Sequence, residues 1–472
     1  MTQMLAFYLG LLTLFTGLYV LVRYLAGKDE LVSLRNFFLA GFILFQLTSG
    51  IEPLLTQRSG RYMLNDWAGT GLTYCLMVTA FLVLFLAFYQ HGLGARRAAS
   101  LVPVTRAKPG IGTLLLLAFV LTAFAGVFRF SVNVPLISTI AGKLGVSFAA
   151  IASGLVSWVW ARRLFNPVIA VIAIGVIGVN LALMVTGSFG RRNVVAIGAC
   201  VLWAMYFSHW RTMPRFAVVT RLTIAAVPPL MLLMAITSVR SSQERPTFTQ
   251  QVRAILTQSD LSHGLADLAA GQGTVPVSMW LIENYPERFE TQHLLGLRYF
   301  FAYPVPRAWW PEKPYPLSTQ IATTADLEGV SQDVLKIGPG VVGHAAAEGG
   351  WYAVIVYAGA FAFFLRFFDQ IVLRKVDNPF VVLPVGAAIG QIVGLPRGEI
   401  SAFAMNYFLG VVLAYATIIM FAKTLEYLGW TDPGDELFEG GDEHWHEDDS
   451  WQDPSYGPLD EGAEPSQTRD EA

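Results

Sequence analysis

A histidine and a glutamate four residues apart form the clearest pattern for chemistry in this sequence. His344 and Glu348 lie in the segment 344–350, and helical spacing places their side chains on one face. Histidine titrates near neutral pH and can act as a general base, and a carboxylate can orient it. The pattern therefore predicts a catalytic base at His344 or Glu348. The alternative is a hydrogen-bonded pair that only anchors the start of a helix.

A second group of charged residues lies at the ends of apolar segments: Arg58, Arg61, Arg191, Arg192, Arg397 and Glu399. The planar guanidinium fork can bind two oxygens of a phosphate at once, so the group favours a diphosphate ligand. The alternative for each arginine is that it reaches for lipid headgroups. Two of them follow the tight turn Gly187–Gly190, whose glycines let a ligand approach the backbone. Asn193 can cap the next helix, whose N-terminus would favour an anion. A glycine turn whose arginines face water is equally compatible with this segment.

The segment 304–314 combines prolines, cations and aromatic rings. Its prolines fix an extended backbone, and Arg307 and Lys313 bracket Trp309 and Trp310. Aromatic faces beside cations suit the recognition of sugars and phosphates. The alternative is an interfacial belt in which both tryptophans lie at headgroup depth.

The composition defines what must position these residues. Of 472 residues, 54% are hydrophobic and 14% charged, and the mean hydropathy is +0.50. A soluble protein has about a quarter charged residues, so these values exclude a soluble enzyme, a disordered chain and a nucleic-acid-binding module. Cys75 and Cys200 lie in apolar runs, which excludes a disulfide framework or zinc site. Asp326 and Glu328 have a spacing that some metal-dependent glycosyltransferases use, but chance supplies such a triplet, and we expect neither metal nor cofactor.

The apolar runs predict an all-α, polytopic membrane protein, because a spanning helix needs roughly 20 apolar residues. Eleven spans are predicted, at 4–22, 36–55, 67–90, 113–130, 148–160, 167–186, 194–208, 216–238, 350–368, 379–395 and 401–422. Residues 1–238 hold the first eight and 350–422 the last three. Between them, 239–349 is a long loop with apolar residues at helical spacing, which should fold onto the membrane domain. The acidic tail 432–472 lacks aliphatic runs and should be disordered.

Basic residues in short loops predict the orientation. One alternating set of loops carries 13 lysines and arginines and the other carries six. The richer set should be cytoplasmic, so the N-terminus is outside, the tail is inside and 239–349 is extracytoplasmic. The arginine group at 58–61, 191–192 and 397 then lies outside, where the positive-inside rule disfavours it. This supports an anionic ligand at the outer leaflet.

Several of these motifs resemble those of one family. Pro306-Arg307-Ala308-Trp309-Trp310-Pro311-Glu312-Lys313-Pro314 resembles the P-R-x-x-W-P-x-K-P signature of Wzy-type oligosaccharide repeat-unit polymerases. Gly343 through Trp351 is similar to the family's segment that returns to the membrane. Gly187–Arg192 and the turn Leu395–Glu399 are similar to its arginine-containing turns. The resemblance covers roughly residues 190–400, and His344 is more similar to the pattern of O-antigen ligases.

The resemblance implies a GT-C-like membrane glycosyltransferase of the inner (plasma) membrane. Such an enzyme moves a growing glycan from undecaprenyl diphosphate to a lipid-linked repeat unit at the outer leaflet, beside a flippase and a chain-length regulator. It implies that Arg191, Arg192, Arg307 and Arg397 hold the diphosphate and that His344 or Glu348 deprotonates the acceptor hydroxyl, without a metal. An O-antigen ligase and a lipid-linked oligosaccharide flippase are the alternatives. A flippase would favour charged groups within the spans, which here contain almost no acids.

The orientation is testable by cysteine labelling. Cysteine placed at Ser331 should react with an impermeant thiol reagent in intact cells whose outer barrier, if present, has been permeabilised, because 239–349 is predicted to be outside. Labelling only after lysis would reverse the orientation.

Overall fold

The structure is a computed structural model that describes residues 1–59, 62–105, 109–130, 135–185, 191–239, 248–269, 273–307, 309–324 and 338–427. Within these ranges the chain forms α-helices and no β-strand. The helices are α1 Thr2–Leu25, α2 Leu34–Phe42, α3 Ile51–Thr56, α4 Trp67–His91, α5 Ala95–Ser100, α6 Ile111–Phe130, α7 Pro135–Ala161, α8 Pro167–Val185, α9 Arg191–Ser208, α10 Arg215–Val239, α11 Phe248–Gln258, α12 Leu261–Ala269, α13 Thr274–Asn284, α14 Leu295–Ala302, α15 Leu317–Thr324, α16 Gly340–Glu348, α17 Trp351–Arg374, α18 Pro379–Gly386, α19 Ile389–Gly394 and α20 Ile400–Tyr427.

The long apolar helices confirm that the chain is a polytopic, all-α membrane protein. In the described ranges, nine helices are long and apolar enough to cross a membrane: Thr2–Leu25, Leu34–Thr56, Trp67–His91, Ile111–Phe130, Leu144–Ala161, Pro167–Val185, Arg215–Val239, Trp351–Arg374 and Ile400–Thr424. Arg192–Ser208 and Pro379–Gly394 are apolar but shorter. All eleven predicted spans fall on these helices.

Two predicted spans are interrupted, and one lies in a longer helix. A π-helical turn at Ile43–Leu47 and a 3₁₀ turn at Thr48–Gly50 separate α2 from α3. The predicted span 379–395 divides into α18 and α19. The predicted span 148–160 is the second part of α7, which begins at Pro135. The hydrophobic run marked only the most apolar part of α7, because small and polar residues of its first half lower the local hydropathy.

The loops that carry 13 basic residues meet at one end of the bundle, which we call the basic end. The Arg374 guanidinium donates to the carbonyl of Ala99 at 2.8 Å, and the Asn378 amide donates to the carbonyl of Thr105 at 2.9 Å. Arg211 pairs with Glu30 at 2.7 Å. These contacts tie four separate connections together, as loops on one side of a membrane require.

The segment between α10 and α17 packs on the membrane helices. Helix α12 lies along α10, α13 contacts α4 and α16, and α14 contacts α20. We call the end where α16 meets α17 and α20 the site end. There the short helices between α10 and α17 pack against the spanning helices, so residues far apart in sequence become neighbours.

Glycines let α19 approach two other helices closely. A methyl group at Gly41 of α2 would meet the carbonyl oxygen of Val393, and one at Gly390 would lie 2.6 Å from the carbonyl oxygen of Arg192. Small residues allow such backbone contact between membrane helices. Helix α19 is therefore fixed against α2 and α9, and it carries the turn that contains Arg397.

This packing predicts a destabilised variant. Gly41→Ala should lower the thermal midpoint of the detergent-solubilised protein, because overpacking costs about 1–3 kcal/mol. Gly10→Ala on α1 is the matched control, since a methyl group there meets nothing within 4 Å. Equal midpoints for the two variants would contradict the close contact of α2 with α19.

Candidate functional site

His344 and Glu348 form a buried pair on α16. The His344 Nδ1 and Glu348 Oε1 atoms are 2.6 Å apart, and both side chains have no exposed surface. Gly349 and Gly350 follow with φ of +151° and +63°, a region that favours glycine. The two glycines reverse the chain between α16 and α17, which brings Tyr357 of α17 back to the pair.

The second oxygen of Glu348 is also satisfied. The backbone N–H of Gly296 donates to Glu348 Oε2 at 2.8 Å, and the Tyr357 hydroxyl donates to the same oxygen. Glu348 therefore joins α14, α16 and α17. A substrate cannot touch either member of the pair in this conformation, because both are fully enclosed.

Glu399 lies on the other side of the imidazole. Its Oε1 atom is 3.4 Å from His344 Nε2 and accepts from the Ser401 hydroxyl at 2.9 Å. Its Oε2 atom accepts from the backbone N–H of Ser318 at 2.9 Å. Glu399 is 8% exposed and is therefore the least enclosed member of the cluster.

The charge of the cluster is set by the two carboxylates. Burial lowers the pKa of His344, but Glu399 and Glu348 outweigh it, so the pKa lies above its usual value. The imidazolium form is thus favoured between two carboxylates. These carboxylates approach opposite ring nitrogens and do not converge on one point.

Two tyrosines connect this cluster to the cations. Burial raises the pKa of Tyr299, and nearby Arg307 acts against it. Burial also raises the pKa of Tyr303, whose hydroxyl interacts with Asn406 and whose environment includes Arg192 and Glu399. Tyr303 is therefore within electrostatic range of both a guanidinium and a carboxylate.

Arg192 and the turn of Arg397 share one aromatic ring. The Arg192 guanidinium lies 4.2 Å from the centre of the Phe403 ring, and Gly394 and Gly398 pack against atoms of that ring. Arg192 is exposed, whereas Arg397 is half-buried with its guanidinium 5.6 Å from the centre of the Phe45 ring. Arg192 therefore lies beside the backbone turn that carries Arg397, while the Arg397 guanidinium itself lies beside Phe45.

The cations of the proline-rich segment hold that segment together. Arg307 donates to the carbonyls of Lys313 at 2.7 Å and Pro314 at 3.2 Å. The Lys313 ammonium is buried and donates to the carbonyls of Tyr303 and Val305 at 3.0 and 2.9 Å. Burial, reinforced by Arg307, lowers the pKa of Lys313.

Trp309 and Trp310 are 73% and 40% exposed, so their rings are available to a ligand or a lipid surface.

Some predicted residues lie outside the described part of the chain. These are Arg61, the turn Gly187–Gly190, Asp326, Glu328 and the tail 432–472. Arg191 is the first residue of α9, but its side chain lies outside the described part of the structure. Arg58 is exposed just after α3.

The sequence did not single out Tyr299, Tyr303, Tyr357 or Asn406. Asn406 carried a usable signal, since an amide inside a predicted apolar span is unusual. The tyrosines carried none, because their position depends on contacts between distant segments.

In the described ranges, no group of three or more His, Cys, Asp or Glu side chains is arranged to hold a metal ion. Comparison with protein-family models, curated proteins and solved structures gave no match for this chain.

The raised pKa of His344 predicts pH-dependent stability. A raised pKa adds stability below about pH 6.5, the value of free histidine, and this is lost as pH rises through the folded-state pKa. His344→Gln should therefore lower the thermal midpoint most at about pH 6, by the equivalent of about 3–5 kcal/mol for a broken buried pair, and less at higher pH.

His91→Gln is the control, because His91 is exposed at the basic end. A deficit of the His344 variant that stays constant from acid to alkaline pH would show that the imidazole is not protonated in the folded protein.

Proposed function

We propose that this protein is a polysaccharide polymerase of the inner (plasma) membrane. It would transfer a growing glycan from undecaprenyl diphosphate to a lipid-linked repeat unit at the outer leaflet. The observation that carries the proposal is that Arg192 and the turn that holds Arg397 and Glu399 pack against one ring, Phe403, at one end of a membrane helix bundle. A cation for a lipid diphosphate and a carboxylate for an acceptor proton are the two groups that this reaction needs.

The reaction exchanges one glycosidic bond for another. The acceptor hydroxyl oxygen attacks the anomeric carbon of the donor, the bond from that carbon to the diphosphate breaks, and the polyprenyl diphosphate leaves with the bonding electrons. The hydroxyl proton passes to a base. Glu399 suits this role because it is the least enclosed of the three residues. His344 and Glu348, enclosed behind it, then act as positioning residues rather than as groups that touch the acceptor.

Arg192 and Arg397 are the cations that the geometry favours for the diphosphate. The Arg192 guanidinium lies 4.2 Å from the centre of the Phe403 ring, and a guanidinium can bind two phosphate oxygens at once. The sequence predicts that Arg191 also binds the diphosphate. Arg307 and Lys313 instead support the segment that presents Trp309 and Trp310, where exposed rings could stack on sugars.

The predicted membrane orientation agrees with the proposal. With the basic end in the cytoplasm, the site end faces outward, as a donor at the outer leaflet requires. A ligase would use the same donor and differ only in its acceptor, so the product distinguishes the two. The buried charged groups lie toward the ends of the bundle, with His344, Glu348 and Glu399 at the site end and Asp369 near the C-terminal end of α17, whereas a flippase would use a site near the midplane.

The arginine geometry predicts a defect in polymer length. Arg191→Lys, Arg192→Lys and Arg397→Lys keep the charge but lose the two-pronged contact. A hydrogen bond to a charged group contributes about 1.5–3 kcal/mol, so each variant should slow chain extension about tenfold or more. The readout is the ladder of polymer lengths in a strain without the native copy, at matched protein levels. Arg97→Lys, exposed at the basic end, is the control.

The intermediate that accumulates in the arginine variants distinguishes a polymerase from a ligase and from a flippase. Single repeat units at the outer leaflet support polymerisation. Full-length polymer retained on the lipid carrier would indicate a ligase, and repeat units held at the inner leaflet a flippase. Normal ladders in all three variants would remove the diphosphate assignment.

A further inference from the structure

A polar cavity lies beside the site, within the helix bundle. Its volume is about 370 Å³, within the range of about 300–1,000 Å³ that is usual for small-molecule sites. Helices α6, α7, α8, α9 and α20 and the junction of α18 with α19 form its walls. The polar side chains among its lining are Arg129, Ser147, Asn193, Gln391 and Asn406.

Two amides in this lining have unused hydrogen-bonding capacity. The Oε1 atom of Gln391 and the Oδ1 atom of Asn406 are buried and have no hydrogen-bond partner in the described part of the chain. Buried polar atoms normally have a partner, so an exception next to a cavity needs an explanation. Carbonyl oxygens accept hydrogen bonds, so the matching ligand must present donors.

From the cavity and its two amides we infer a second ligand subsite, which binds the neutral, hydroxyl-rich glycan of the lipid-linked donor. This inference rests on the proposed function and adds the location of the sugar to it. Asn193 and Ala196 of the lining follow Arg192 on α9. A glycan in the cavity would therefore lie near the cation assigned to its diphosphate.

The chemistry of the lining favours a sugar over a phosphate. A phosphate at neutral pH offers mainly acceptors, which suit Arg129 but cannot satisfy the amide oxygens of Gln391 and Asn406. A sugar hydroxyl both donates and accepts, and Phe128 adds an apolar ring to the lining. The walls are membrane helices, so a ligand that is anchored in the bilayer is already close to them.

A glycine in the wall allows the cavity to be filled selectively. A methyl group at Gly142 of α7 meets nothing within 4 Å, so a leucine there can extend into the cavity without a backbone clash. Gly142→Leu and Gln391→Met should both shorten the polymer ladder at matched protein levels. Gly178→Leu on α8 is the control, because Gly178 also has open space and does not line the cavity.

The outcomes separate this inference from the proposed function. If deletion of the gene leaves the polymer intact, the proposed function fails. If deletion abolishes the polymer while Gly142→Leu and Gln391→Met both support a normal ladder, the glycan subsite fails and the proposed function stands.

Binding can be measured without any transfer. Gly142→Cys should react with a maleimide in purified protein, because position 142 lines the cavity. The labelling should be specific, because Cys75 and Cys200 are buried. The probe is the oligosaccharide released from the strain's own surface polysaccharide. At about ten times its Kd it should slow labelling about tenfold by mass action. Gly178→Cys should label at the same rate with and without it.

Inorganic pyrophosphate at equal concentration tests the ligand class. Protection by the oligosaccharide and not by pyrophosphate supports the glycan subsite. Equal protection by pyrophosphate, or protection by neither compound, would overturn it.

Discussion

The imidazole of His344 lies between the carboxylates of Glu348 and Glu399, and the arrangement of the site end depends on this buried cluster. Its hydrogen bonds reach α14 through Gly296, α15 through Ser318 and α17 through Tyr357. Each carboxylate oxygen has a partner, as a buried charge requires. Loss of the imidazole would leave two carboxylates facing each other without compensation, so the cluster holds the polar segments against the membrane helices.

The interrupted spans supply the backbone that the cluster needs. The Gln46 amide, in the π-helical turn, donates to the carbonyl of Pro396 at 2.6 Å, and the Tyr74 hydroxyl donates to the carbonyl of Gln46 at 2.6 Å. Near the end of α18, Tyr407 donates to the carbonyl of Val385 at 3.0 Å. Irregular backbone within a membrane persists only where protein groups satisfy it. These bonds therefore fix the turn that carries Arg397 and Glu399.

Local patterns predicted much of the fold and part of the site. Hydropathy located the apolar helices, because each contains an apolar run, but it marked only the second part of α7 and missed the interruptions within two spans. The spacing of His344 and Glu348 predicted their shared face, because it is a property of one helix. Glu399 as the third member was not predictable, since its contact joins positions 55 residues apart through the fold. Arg129 was hidden inside a predicted span, although it lines the cavity at the end of α6.

Reconstitution tests glycosyl transfer by this protein most directly. Purified protein in proteoliposomes would receive extracted lipid-linked repeat units, and lipid-linked oligomers and free polyprenyl diphosphate would be quantified together. We predict that both appear, with one diphosphate carrier released for each new glycosidic bond. Glu399→Gln, which removes the proton acceptor and keeps the side-chain shape, should slow both about a hundredfold or more. If folded wild-type protein in the outward-facing orientation leaves the donor intact and forms no oligomers, the protein is not a polymerase.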